Sequence, residues 1–374
     1  MNEDTLIACL TPPGRGAIAT LALRGPRAWS VVRELFQPLS GKLSQDPEAG
    51  RFRLGRLAGA EVVLAVLDDS IELHCHGGME VVRLLLEVFA QHEIHNCSWQ
   101  ELERRSGQNP LRCLAQEALV QATTVRTAAI LLDQFHGAFS RAVETIIGKL
   151  ENNESAEGMR LLNELAERIP LGRHLIQPWQ VVIAGAPNVG KSSLVNALAG
   201  FQRSVVASTP GTTRDVVTTL LAIDGWPVEL ADTAGWRHEA EMLEAEGIAR
   251  ARSAADSADL CLWLLDGSCK PIYPDFAGKN LRLIINKVDL PAAWNWDEVE
   301  ALRVSAKTNH GLEELCRNLS RWVVPNPSPP GAAVPFTPEL CQGIETARQQ
   351  AAHGKIADSR ETLKEMRKAP GSPA

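Results

Sequence analysis

The chain has 374 residues, too many for one ordinary domain, and its 45% hydrophobic and 22% charged residues are the balance of a globular protein with a real core. The formal net charge of -7 argues against a nucleic-acid binder that works by bulk attraction to phosphate, though it leaves room for a local basic face. Eight scattered cysteines include no C-x-x-C pair, so no zinc ribbon or thioredoxin-type motif is written here. The opening Met-Asn-Glu-Asp lacks the positive n-region of a signal peptide, and no apolar run reaches the about 20 residues of a membrane span. A reduced, cytoplasmic protein with no membrane partner is the expectation.

Residues 1–109 mix strands, turns and helices and predict a small α+β domain. Thr5 to Leu10 reads as a strand ending at the breaker-rich Thr11-Pro-Pro-Gly-Arg-Gly16, and Ala17 to Leu23 as a second strand. Ala28 to Phe36 reads as a helix, Glu61 to Leu67 and Ser70 to Cys75 as strands. His76-Gly-Gly78 opens a helix over Met79 to Gln91. His74, Cys75 and His76 invite a metal reading. Neighbouring strand residues point to opposite faces and no fourth ligand is at hand, so turn structure is expected instead.

Residues 110–176 change character. Leu111, Leu114, Ala118, Ala122, Val125 and Ala129 recur at helical spacing, and Leu131 to Leu150 and Met159 to Ile169 continue it, with a break at Asn152-Asn-Glu-Ser155. Residues 177–324 alternate strands with helices. Pro325-Asn-Pro-Ser-Pro-Pro-Gly331 reads as a stiff linker opening a last segment, 325–374, helical from Thr337 to about Lys368 and ending in a disordered tail.

Gln180 to Gly185 is a buried-strand run that leads into Gly185-Ala-Pro-Asn-Val-Gly-Lys-Ser192, a complete G-x-x-x-x-G-K-S pattern in its strand–loop–helix context. Backbone N–H groups of Asn188, Val189, Gly190, Lys191, Ser192 and Ser193 would cradle phosphates at a helix N-terminus, Lys191 would reach the β- and γ-phosphates, and Ser192 would ligate Mg²⁺. Val228 to Ala231 is a strand delivering Asp232-Thr-Ala-Gly235, where Asp232 can hold the Mg²⁺ hydration shell and Gly235 sense the γ-phosphate, with Thr233 and Ala234 between them.

Leu281 to Ile285 is a further strand, ending at Asn286-Lys-Val-Asp289. The carboxylate of Asp289 matches the two adjacent donors on guanine, whereas adenine would leave it unpaired at about 1–3 kcal/mol. Lys287 would lie along the base plane and Asn286 brace the loop. Ser305-Ala306-Lys307 can then give an amide to guanine O6. Four motifs in order, each at the end of a predicted strand, specify GTP over ATP. Between the first two lies Val206 to Asp215, where Thr212 or Thr213 can ligate Mg²⁺. The Gln that many GTPases place after Asp-x-x-Gly is replaced by Trp236, which has no acceptor to orient water. Nearby acids are Glu239, Glu241, Glu244 and Glu246.

This arrangement resembles the TrmE (MnmE) family of tRNA-modification GTPases. Asp4-Thr-Leu-Ile-Ala, Thr11 to Gly16, Arg24-Gly-Pro26 and His74-Cys-His-Gly-Gly78 look like its N-terminal folate-binding and dimerisation domain. Gly185 to Ser193, Pro210-Gly-Thr-Thr-Arg-Asp215 and Asp232 to Gly235 match its G domain. The resemblance implies a multidomain α+β and α/β chain: an N-terminal α+β dimerisation domain, a helical domain in two parts, and an inserted P-loop, Ras-like G domain with a mixed, mostly parallel sheet. It implies a K⁺ ion in place of an arginine finger, held by Asn188, Ala207, Thr209 and Thr212, with Thr213 on Mg²⁺ and Glu244 positioning water. It further implies a homodimer, tRNA and an FAD-dependent modification partner, and a tetrahydrofolate derivative.

The chain departs from the family in three ways. Of the folate contacts only Glu72 keeps register, the positions at Ala22 and Leu111 not being basic, with Arg24 and Arg112 close by. The helical parts are short, and the chain ends Lys-Ala-Pro-Gly-Ser-Pro-Ala where the family carries a Cys-Ile-Gly-Lys type motif. The alternative is therefore a diverged regulatory GTPase switch that has lost tRNA modification.

Overall fold

The computed structural model describes residues 4–12, 14, 16–105, 109–152, 154–202, 218–232, 258–278 and 280–368. The chain divides into two compact units, Met1–Cys113 and Leu114–Ala374.

The first unit is a seven-stranded sheet. Its elements are β1 (Leu6–Cys9), β2 (Ile18–Arg24), α1 (Ala28–Leu35), β3 (Phe36–Pro38), β4 (Arg51–Leu57), β5 (Ala60–Val66), β6 (Ile71–His76), α2 (Met79–Gln91), β7 (His95–Asn96) and α3 (Trp99–Arg105). The strand order is β3-β4-β5-β6-β2-β1-β7, antiparallel throughout except for the β1–β7 pair. Alternation decides the faces. Leu21, Leu64 and Leu73 meet Val32 of α1 and Phe89 of α2 on one side, while Leu6, Ala8 and Ala22 meet Leu102 of α3 on the other.

β3, β4, β7 and α3 were not anticipated. β4 reads Arg-Phe-Arg-Leu-Gly-Arg-Leu, and its first four residues are exposed on both faces, so it lacks the polar–apolar alternation of a half-buried strand. Its Gly55 is required by the approach of β3: a Cβ there would lie 2.4 Å from the Phe36 ring and from the Gln37 carbonyl oxygen. His74, Cys75 and His76 stand in β6 rather than in a turn. Among the described residues no cluster of three or more His, Cys, Asp or Glu could hold a metal.

In the second unit the helical part comprises α5 (Val125–Phe135), α6 (Ala138–Glu151), α7 (Ser155–Ala166) and α8 (Ile169–Arg173), with α4 (Pro110–Val120) containing the point of division. The helical pattern expected from Leu111 to Ala129 is broken. Thr124 caps α5, its hydroxyl accepting from the Thr127 amide at 3.3 Å. The expected run from Leu131 to Leu150 is also interrupted, at Gly137, whose φ of 88° is the left-handed conformation glycine takes without penalty.

The remainder is an α/β sheet built from β8 (Trp179–Gly185), α9 (Lys191–Gln202), β9 (Thr218–Ile223), β10 (Trp226–Asp232), β11 (Leu260–Asp266), β12 (Leu281–Asn286), β13 (Leu302–Arg303) and α10 (Leu312–Val323). Its order is β13-β12-β11-β8-β10-β9, with only β9 antiparallel. β8 and β11 sit centrally and are apolar along nearly their whole length, as strands covered on both faces must be.

The chain returns to the helical part through α11 (Pro338–Ala352) and α12 (Ile356–Glu365). The far end of the proline-rich segment is tied down. The Gly331 amide donates to Asp133 Oδ2 at 2.8 Å, and the buried Gln134 amide spans Ala332 O and Val334 N at 3.0 and 3.1 Å. The expected disordered tail, 369–374, lies outside the described residues.

Candidate nucleotide site

The site forms at the carboxyl end of β8, where the chain crosses to both neighbours, β10 and β11. Such crossover points leave a crevice that an open α/β sheet offers to ligands. Gly185, Asn188 and Gly190 all have positive φ, 140°, 60° and 97°. Left-handed turns interleaved with right-handed ones aim successive amides into one concavity, and the N-terminus of α9 follows at once. Neither glycine tolerates a side chain. A Cβ at Gly185 would stand 2.6 Å from Leu264 O, and one at Gly190 2.4 Å from Asn286 Nδ2. Lys191 is buried, and its ammonium donates to the carbonyls of Gly185 and Ala186 at 3.1 and 2.9 Å. Val189 is buried beneath the loop, while Asn188, Ser192 and Ser193 face outward.

Asn286 joins three motifs. It is buried, donates through Nδ2 to Val189 O at 2.9 Å, and accepts through Oδ1 from the Ala306 amide at 3.2 Å. The phosphate-type loop, the Asn-Lys-Val-Asp loop and the Ser-Ala-Lys loop therefore share one side chain. Asp289 is exposed, and Ser305 Oγ donates to its Oδ1 at 2.6 Å. That bond holds the carboxyl below its ordinary value. Ser305 itself is buried and also receives the Thr308 amide at 3.1 Å. Lys307 lies one residue beyond Ala306, at the surface.

Lys287 adopts a φ of 64° and places its ammonium 2.6 Å from Asp266 Oδ2. Sequence reasoning passed over Asp266. The available signal was that it ends an apolar strand, Leu260–Asp266, as the other site residues end theirs. Burial pushes this carboxyl up, but the hydrogen bonds from Lys287 and Ser268 outweigh it and the net shift is downward.

Asp232 ends β10, beside β8 in the sheet. Thr233, Ala234 and Gly235 of its motif lie outside the described residues, as do Ala207, Thr209, Thr212, Thr213, Trp236 and Glu244. In the first unit Glu72 sits on β6 opposite Ala22, its carboxylate 3.4 Å from His74 Nε2, while His74 Nδ1 is 3.0 Å from Thr20 Oγ1.

A mostly parallel sheet with a Gly-rich anion loop at the end of its central strand, and a guanine-type carboxylate loop two strands away, defines a P-loop GTPase. Residues 180–290 match the family model described as 50S ribosome-binding GTPase. The tRNA modification GTPase MnmE of Phenylobacterium zucineum is 32% identical over 373 residues, covering 86% of this chain and 83% of that protein. Its counterpart from Moorella thermoacetica is 30% identical over 413 residues, covering 94% and 87%. Among solved structures, the G domain of the T. maritima FeoB iron transporter is 27% identical over 39% of this chain and 99% of its own, with a TM-score of 0.30. The chain belongs to the MnmE family of tRNA modification GTPases.

Proposed function

We propose that this GTPase acts in tRNA modification, at the wobble uridine, and that its GTP cycle is K⁺-stimulated and involves paired G domains. The observation that carries the nucleotide reading is Asn286, whose two hydrogen bonds lock the phosphate-type loop to the base-side loops. Residues 177–324 form the inserted G domain in this reading, flanked by helical segments 110–176 and 325–374, with residues 1–109 as the dimerisation domain.

Amides of Asn188 to Ser193 bind the phosphates, with Lys191 charge-pairing to them. Asp289 reads guanine, Lys287 supports the base, and the Ser305-Ala306-Lys307 amides meet its carbonyl. The residues present fit a triphosphate with its cation: left-handed backbone at Asn188 and Gly190 opens the amide cradle, and Ser192 stands exposed in the first turn of α9. Mg²⁺, when bound, neutralises charge on the phosphate oxygens, and Ser192, Thr213 and, through its hydration shell, Asp232 would hold it. Asn188, with Ala207, Thr209 and Thr212, would hold K⁺. Glu244 accepts from the attacking water and aligns it, work that Trp236 cannot do.

The same reading assigns homodimerisation and a tetrahydrofolate derivative to the first unit, and an FAD-dependent partner and tRNA to the whole. Support for a folate comes from Glu72 and from Arg24, two residues beyond Ala22 on the same strand. Arg24 pairs with Asp69 and Glu103 through Nη2 at 3.2 and 3.1 Å, while its buried Nε and Nη1 meet no hydrogen-bond partner among the described residues.

GTP turnover is expected to rise in K⁺ over Na⁺ and to collapse in Glu244→Ala. Equal rates in the two salts, or an unimpaired variant, would remove the K⁺ mechanism. Mass spectrometry of tRNA from a deletion strain is expected to show wobble uridine lacking its modification. Normal tRNA would leave only a regulatory switch. A monomer by sedimentation at micromolar concentration would contradict the dimer, and no heat on titration with a tetrahydrofolate would end the folate assignment.

A further inference from the structure

We infer that Asp266 is a positioning residue for the guanine nucleotide: it anchors the tip of Lys287 so that the lysine's aliphatic stem is a fixed ledge for the base. This rests on the reading of Asn286 to Asp289 as the base-binding loop.

β11 and β12 run parallel with Asp266 opposite Asn286, so Lys287 emerges beside the Asp266 carboxylate. One carboxylate oxygen is already committed. Oδ1 accepts from the Ser268 amide at 2.9 Å and from its hydroxyl at 2.6 Å, which turns Oδ2 toward the Lys287 ammonium at 2.6 Å. The backbone carrying that carboxylate is equally constrained. Trp294 Nε1 donates to Asp266 O at 2.9 Å and Trp296 Nε1 to Gly267 O at 3.2 Å, while the Gly267 amide donates to Asn286 O at 2.9 Å. The Asp266 side chain is 13% exposed and the Lys287 side chain 30%, so the pair is partly shielded from water.

A free lysine loses more rotamer entropy on being ordered than almost any other side chain. An ammonium tied at its tip has met that loss before the ligand arrives, and its methylene stem is left as a preorganised apolar surface. Lys287 supports a purine ring without reading its edge, whereas Asp289 reads the edge. Loss of Asp266 should therefore weaken binding of guanine and hypoxanthine nucleotides by one common factor.

The experiment measures GDP and IDP affinity of the full chain as wild type, Asp266→Asn, Lys287→Ala and the double variant, with thermal unfolding of each in the absence of nucleotide. Asp266→Asn is expected to weaken both nucleotides about tenfold, and to add less than about twofold in the Lys287→Ala background, since the two residues act as one unit. Asp266→Glu, which keeps the charge, is expected to recover part of the loss. Unchanged affinity in Asp266→Asn, or the same loss with and without Lys287, overturns the inference and leaves the pair a structural staple. Asp289→Asn separates the two levels. If that variant keeps the wild-type preference of GDP over IDP, the base-loop reading itself has failed, whatever Asp266 does.

Discussion

The guanidinium of Arg126 lies over the indole of Trp226, 4.2 Å from the ring centroid. From the helical part it also reaches the β9–β10 turn, donating to Asp224 O at 2.7 Å and Asp224 Oδ2 at 2.8 Å, and Ser320 Oγ donates to the same carboxylate at 2.8 Å. Asp224 and Gly225, with φ of 51° and 79°, form the tight turn that two antiparallel strands favour. Arg126→Ala is expected to cost about 1–2 kcal/mol. The half-exposed ion pair adds little, and the cation–π contact and the carbonyl bond supply most of it. Urea unfolding measures this, and a change within about 0.5 kcal/mol would put the contact among neutral surface pairs.

Asn286→Ala should damage binding more than any exposed site residue. It strands the buried Val189 carbonyl and removes the acceptor for the Ala306 amide, so both loops lose their common brace. The stability cost is about 1–3 kcal/mol by thermal unfolding, with at least about tenfold weaker GDP binding by fluorescence titration. Wild-type affinity in this variant would show that the loops hold their shape independently.

Acid should act on the Asp266–Lys287 pair in a defined window. The folded carboxyl lies below its ordinary value of 3.8. A depressed carboxyl contributes stability that is fully present above the unfolded value and is lost as pH falls through the folded one. Stability from this pair is therefore expected to be flat with pH above about 5 and to fall below about 4. Asp266→Asn should flatten that acid limb in urea unfolding series from pH 3 to 6. An identical limb in both proteins would assign it to other carboxylates, such as Asp259, whose shift is downward as well.

Gly172→Ala tests the docking of the returning chain. A Cβ at this helical position would stand 1.8 Å from Pro335 O, so the backbone must move although alanine suits the helix. The expected loss is about 1–3 kcal/mol by thermal unfolding. A gain would mean the segment before α11 yields freely.

The nucleotide motifs were legible because each is a local event. A strand ends, glycines permit left-handed backbone, and a helix or carboxylate follows within a few residues. β8, β10 and β12 were read within two residues at each end for that reason, and α2 was read over its full length, Met79–Gln91. Other elements were hidden by composition. β4 carries three arginines on exposed faces, and α4 and α5 share a helical period across Gln121-Ala-Thr-Thr124, where the capping hydroxyl of Thr124 outweighs the pattern. Lys287 was named from the sequence but its partner was not, because Asp266 is separated from it by a strand and a loop.

By itself the sequence displayed a Gly-rich loop between a strand and a helix, and an Asn-Lys-Val-Asp loop at the end of another strand. Short-range stereochemistry and hydrogen bonding set those features, so spacing alone encodes them. Only the tertiary structure decided which distant groups share a partner: Asn286 with Val189 and Ala306, Lys287 with Asp266, Arg126 with the β9–β10 turn. Those pairings follow from strand order and burial, which place residues far apart in the chain within hydrogen-bond reach and make an unmet polar group costly.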